Sequence, residues 1–250
     1  METHTKQLFF IPLLFFFTLL CNGQSKEVKI DYDYFLFGTL SDYLGREKYK
    51  ETVNRVDEYY VKDKSLVLFL DSLFRDKYPD LRLITSNKSG RLELESKILA
   101  QKMNDFYFYN PSGRNAYIGE ANFETLNFDS LAKTDDFYTT YFDTIYTGCI
   151  KSDIFKNDSE RLSFITGAYI RFGGKNDSIY FIRIANSVSK VKVATEQLRE
   201  LKCNNISYIV KKAYIPTPHT VYFTPTDELM KYFIAVNQKL ALFSEPKSTK

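Results

Sequence analysis

Asp31 and Asp33 stand in the stretch VKIDYDYFL, residues 28–36. Val28, Ile30, Tyr32, Tyr34 and Leu36 alternate with period two, which predicts a half-buried strand. Residues two apart on a strand share a face, about 7 Å from one another by the strand rise. That separation suits an acid and a base flanking a water, the arrangement of a carboxylate-dependent hydrolase. The plainer reading is the wet face of a half-buried strand, because Lys29 falls on the same side.

Other chemistry is poorly provided for. His219, in PTPHT, is the one histidine past residue 4, so a site needing two or three histidines cannot be built from this chain alone. A serine or cysteine nucleophile activated by imidazole would have to run through His219, which its flanking prolines hold in place. No G-x-S-x-G elbow occurs, and YTGCIKS around Cys149 matches no nucleophile signature. A lone loop histidine is more often simply solvated. Phosphate-cradling glycine loops and D-x-D-x-D-G calcium loops are absent from the sequence. The expectation is no metal and no cofactor.

Two cysteines follow Cys21, namely Cys149 and Cys203. In an oxidising compartment such a pair reads as a candidate disulfide, worth about 4 kcal/mol on the chain-entropy model. The alternative is two separate thiols, since spacing in sequence gives no distance. Between Asn186 and Tyr214 the charges are Lys190, Lys192, Arg199, Lys202, Lys211 and Lys212 against Glu196 and Glu200. This is either a solvated helix face with an adjoining strand end or a basic surface for an anionic partner.

The compartment comes from the start of the chain. Lys6 precedes LFFIPLLFFFTLL, residues 8–20, and no charge recurs until Lys26. A charged start, a short apolar run and a small-residue exit describe a signal peptide over residues 1–23, with cleavage between Gly23 and Gln24. The run is short of the ~20 residues a spanning helix needs. Lipidation of Cys21 is the alternative, although Leu20 is large for the position before a lipidated cysteine. An uncut anchor is the third. Export to a periplasm, cell envelope or medium, in a bacterium, is the expectation.

Composition bounds the rest. The chain has 250 residues, 44% apolar and 26% charged, which suits one α+β domain over residues 24–250, with a boundary candidate at 111–136. The net charge is +3, and losing residues 1–23 removes Glu2 and Lys6 together, so nucleic acid is not an expected partner. The 22 Phe and 19 Tyr occur with no Trp, which reads as composition bias rather than sugar stacking.

The elements that must position these residues follow from periodicity. Arg46–Val61 reads as an amphipathic helix through Tyr49, Val53, Val56 and Tyr60. Ser65 caps a helix ending near Tyr78, ahead of Pro79. A strand over 81–85, a helix over 89–106 and the aromatic strand FYFYNPSGRN come next. RLSFITGAYIRF, the turn GGKND and SIYFIRIA predict a hairpin over 161–185. A helix over 189–203, the strands ISYIV and TVYFT, and a helix capped by Thr226 complete the chain. The C-terminal half thus reads ββαββα, and the fold class α+β with a mostly antiparallel sheet and packed helices.

Three functional classes fit. The leading one is a non-enzymatic binding or interaction domain, inhibitor or immunity proteins included, whose partner is another envelope or extracellular protein. A carboxylate hydrolase using Asp31 and Asp33 is the second. The third is a structural envelope component, touching the membrane only through a lipid on Cys21.

Overall fold

Tyr32–Thr39 is a helix, α1, where alternation predicted a strand. Asp31 begins it as an N-cap, its Oδ1 accepting the backbone N–H groups of Asp33 at 3.1 Å and Tyr34 at 3.3 Å. The computed structural model describes residues 28–49, 52–85, 90–116 and 142–244. Phe35, Leu36, Phe37, Gly38 and Thr39 are consecutive and all buried, so the last part of α1 is covered on every side and offers no helical stripe, while Tyr32, Asp33 and Tyr34 stay partly exposed.

What covers α1 is α4 (Asp158–Phe172), another segment read as strand. A Cβ on Gly38 would lie 2.1 Å from the Phe164 carbonyl oxygen, and one on Gly167 would lie 2.0 Å from that of Phe35. The two helices therefore cross in backbone contact. The start of α4 carries a signal in Asn157 and Glu160: Asn157 Oδ1 accepts the Glu160 N–H at 3.1 Å, and its amide donates back to the Glu160 carboxylate at 2.9 Å. The hairpin survives in shorter form as β7 (Gly173–Asn176) and β8 (Ile179–Ala185), with Asp177 at φ 53° in the turn.

With β9 (Asn204–Val210) and β10 (Pro218–Thr224) these strands form a sheet in the order β7-β8-β10-β9. The helices α5 (Val188–Glu200) and α6 (Asp227–Ala241) intervene and follow, the latter capped by Thr226 as expected. The ββαββα order therefore holds from Gly173 onward.

Among the described residues of 46–61 there is no α-helix. They give β1 (Arg46–Lys48) and β2 (Arg55–Tyr59), and leave Val53 and Tyr60 exposed, although the helical stripe needed both buried. α2 (Lys64–Phe74) is the helix predicted after Ser65, but it starts at Lys64 after a turn of 3₁₀ helix, so Ser65 lies inside it, and it ends at Phe74, four residues before Tyr78. β3 (Arg82–Thr85) is as predicted. The helix predicted over 89–106 divides into β4 (Leu92–Glu95) and α3 (Lys97–Asn104), with the Ser96 hydroxyl accepting the Leu99 N–H at 3.0 Å between them. β5 (Tyr107–Ala116) is the aromatic strand and pairs with β6 (Phe142–Ile150). These strands make two further sheets, β1-β6-β5 and β2-β4-β3. All described pairing is antiparallel, and the fold is α+β.

Much of the aromatic content lies in the core. The Phe37 ring stacks on Phe106 with centroids 4.5 Å apart and meets Phe164 at 4.9 Å and Tyr107 edge-on at 5.7 Å. Such contacts add about 0.5–1.5 kcal/mol per pair beyond the area they bury. Residues 1–27, with Cys21, Gly23 and Gln24, lie outside the described residues, as do 117–136 of the boundary candidate, while 111–116 belong to β5. Among the described residues no helix is long and apolar enough to cross a membrane.

Candidate functional site

Five charged side chains are buried together where α1 ends. Arg171, near the end of α4, bonds the Asp57 carboxylate of β2, the Thr39 carbonyl and, at 2.5 Å, the Glu58 carbonyl. Its guanidinium lies 4.0 Å over the Tyr59 ring, and the Tyr59 hydroxyl meets that of Thr39 at 3.1 Å. Asp57 also accepts the Ser41 N–H at 2.6 Å. Arg46, at the start of β1, donates to Asn104 Oδ1 at 2.8 Å and to the Val56 carbonyl at 3.0 Å. Among the described residues its hydrogen-bond acceptors are neutral, while Asp57 and Asp42 lie near enough to favour its charge.

Lys190 was read as part of a basic surface, and the structure overturns this. It is 0% exposed, and its ammonium donates to the Phe37 carbonyl at 3.1 Å and to the Leu40 carbonyl at the C-terminal end of α1. A cation there adds a donor to the last carbonyls of the helix and meets the negative end of the helix dipole. Asp42 Oδ2 lies 3.9 Å from it, while Asp42 Oδ1 accepts the Tyr107 hydroxyl at 2.8 Å. Burial pushes Lys190 down to about 8 against the pull of Asp42. Burial likewise raises the Asp42 carboxyl, with Lys190 and Tyr107 opposing. Both groups are moved toward their neutral forms, as expected of charges taken out of water.

Over this network opens a cleft of about 700 Å³ between the β1–β2 segment and β8. Its lining holds six cations, Arg46, Lys48, Arg55, Arg91, Arg171 and Arg183, against three acids, Glu47, Asp57 and Glu58. Two of the acids are committed: Asp57 holds Arg171, and Glu58 holds Arg91 at 2.8 Å. Arg55 turns to Glu93, 3.3 Å away. Arg183 is exposed, donates to the Thr220 hydroxyl at 3.3 Å and lies 5.2 Å from the centre of the Phe181 ring. Exposed Lys48 lies 5.7 Å from the centre of the Tyr109 ring. Among the described residues neither Lys48 nor Arg183 meets a carboxylate. At the rim, Tyr43 is 47%, Leu44 63% and Tyr60 53% exposed. Leu44 holds φ at 58°, a left-handed conformation unusual for a bulky residue.

The residues singled out from the sequence go elsewhere. Asp31 and Asp33 share no strand face: Asp31 is a cap, and Asp33 pairs with Lys102 and, at 3.9 Å, with Lys77. Both line a second cleft of about 540 Å³. His219 lies in β10, not in a solvated loop; it is buried, and its Nδ1 bonds the Tyr208 hydroxyl. Cys149 is exposed on β6, Cys203 is buried, and both are free thiols in the structure. Burial pushes the Cys203 thiol up, which makes it a poorer nucleophile. Lys192, Arg199, Lys202, Lys211 and Lys212 are exposed as the basic-surface reading requires. Among the described residues no group of three or more His, Cys, Asp or Glu side chains is placed to hold a metal ion.

Sequence reasoning missed Arg171 and Arg183, although each carries a signal. AYIRF and FIRIA place a single arginine inside an apolar run, which demands either a buried partner or an exposed face. Asp42, Arg46 and Asp57 carry no such mark. No protein-family model matches the chain, and a search of curated proteins gives no match.

Proposed function

We propose that the protein is a non-enzymatic binding domain, exported by its leader, that receives another envelope or extracellular protein in the cleft between the β1–β2 segment and β8. The observation that carries this reading is how the polar side chains are used. Asp31, Asp33, Asp57 and His219 are each engaged in a cap, an ion pair or a side-chain hydrogen bond. The cleft, by contrast, keeps exposed Tyr43, Leu44 and Tyr60 beside its arginines. Tyrosine and arginine are the side chains that most often dominate protein interfaces.

Replacing half-buried Ala185 of the cleft wall with Trp tests the reading. Affinity capture from the exported fraction recovers a partner with the wild-type chain and loses it with Ala185→Trp at unchanged melting temperature. Recovery of the same partner by both proteins refutes the cleft. The hydrolase reading retains one supporting observation, that Asp31 and Asp33 line the smaller cleft. It predicts a turnover abolished by Asp33→Asn, whereas the binding reading predicts partner capture unaffected by that change.

A further inference from the structure

The geometry points to an acidic, extended segment of the partner protein as the occupant of this cleft, its carboxylates meeting Lys48, Arg183 and the edge of Arg46. The inference rests on the cleft being the binding surface and adds the chemistry of what fills it. Charge is the first support. The lining carries twice as many cations as acids, and two of the three acids are already held by arginines. Arg46 is buried on neutral acceptors, and Lys48 and Arg183 have an aromatic ring or a hydroxyl as company. A carboxylate arriving there gains charge-assisted hydrogen bonds, which are shorter and about twice as strong as neutral ones. A basic occupant would instead be repelled, so the same charges exclude wrong partners.

Shape and strain are the second support, and they favour a polypeptide over a small anion. A pocket for a small anion is concave and closes around its ligand. Here the cations lie beside large exposed side chains, with Leu44 in the left-handed region at the rim. A bulky residue in that region is strained, and Leu44 offers a mostly exposed side chain in return. Strain of this kind concentrates at binding sites. Tyr43 and Leu44 would cover the apolar part of a peptide while the cations hold its carboxylates.

The test uses the exported full chain, a fluorescein-labelled octaglutamate peptide and its octaglutamine counterpart, with ionic strength fixed at about 0.15 M so that screening is equal. Two double variants remove the same charge in different places: Lys48→Gln with Arg183→Gln in the cleft, and Lys211→Gln with Lys212→Gln on the exposed loop. The expected result is saturable binding at least about tenfold tighter for octaglutamate than for octaglutamine, weakened at least about fivefold by the cleft pair and less than about twofold by the loop pair. Equal losses from the two pairs would mean diffuse attraction to a basic protein and would overturn the inference. So would octaglutamine binding as well as octaglutamate. Saturable binding of inorganic phosphate or citrate, with octaglutamate left unbound, would overturn it in favour of a small anion. If octaglutamate fails while Ala185→Trp still abolishes partner capture, the acidic chemistry is wrong and the cleft stands. If Ala185→Trp keeps the partner, both fall.

Discussion

Replacing Arg171 with Met removes the group that ties α1, β2 and α4 together. The side chain is 3% exposed, so water cannot replace what is lost. Asp57 would keep the Ser41 N–H but lose its cation, and the carbonyls of Thr39 and Glu58 would lose their donor. Removing one partner of a buried ion pair costs about 3–5 kcal/mol, most of it the price of stranding the other charge. Met retains part of the stacking over Tyr59, which places the expected loss near 4 kcal/mol by the same measure. In urea, with a slope of about 1–3 kcal/mol/M that grows with chain size, the midpoint should fall by more than about 1 M. Adding Asp57→Asn removes the stranded charge, so the double variant should be more stable than the sum of the single losses by about 2 kcal/mol. Urea unfolding followed by far-ultraviolet circular dichroism reads all three variants. A loss below about 1 kcal/mol for Arg171→Met, or additivity within about 0.5 kcal/mol in the cycle, would mean that Arg171 and Asp57 are not a coupled buried pair.

Lys190 gives a pH signature. Its folded pKa, near 8, lies below the unfolded value of 10.5, so between them the unfolded chain binds more protons and stability rises with pH. From pH 8 to 9.5 Lys190 should contribute a gain of about 1–2 kcal/mol, read as the difference between the wild-type and Lys190→Met profiles, because Cys203, raised by burial, acts in the opposite sense in both proteins. Asp31→Ala should cost about 1 kcal/mol as a lost helix cap, and Asp31→Asn only a few tenths, both read by thermal unfolding; equal losses would argue against a capping role. Gly167→Ala pushes a methyl group to 2.0 Å from the Phe35 carbonyl oxygen, so α1 and α4 must separate. The expected destabilisation is at least about 2 kcal/mol, and a change under 0.5 kcal/mol by urea titration would contradict the backbone contact.

The fold was legible where one face of an element is wet. α2, α5 and α6 keep clear helical stripes, and the Thr226 cap is readable from its residue type and the acids that follow it. It was illegible where burial is complete. α1 and α4 cover one another through Gly38 and Gly167, and consecutive aromatic or β-branched residues there resemble strands. The segment 46–59 failed for the opposite reason, since two short strands by chance carried apolar residues at helical spacing. The site was harder still. Arg171 lies 114 residues from Asp57 in the chain, and only the crossing of α1 with α4 brings the two together. Lys190 looked like its exposed neighbour Lys192, because nothing local tells which face of α5 meets the end of α1.

In the binding proposal the partner lies in the cleft between the β1–β2 segment and β8. Amide hydrogen exchange of the chain, alone and with the protein captured from the exported fraction, tests it most directly. A partner in the cleft slows exchange over residues 41–49 and 183–186 and leaves the exposed strand β9 and helix α6 unchanged. Protection confined to β9 or α6, or no protection anywhere, would contradict it.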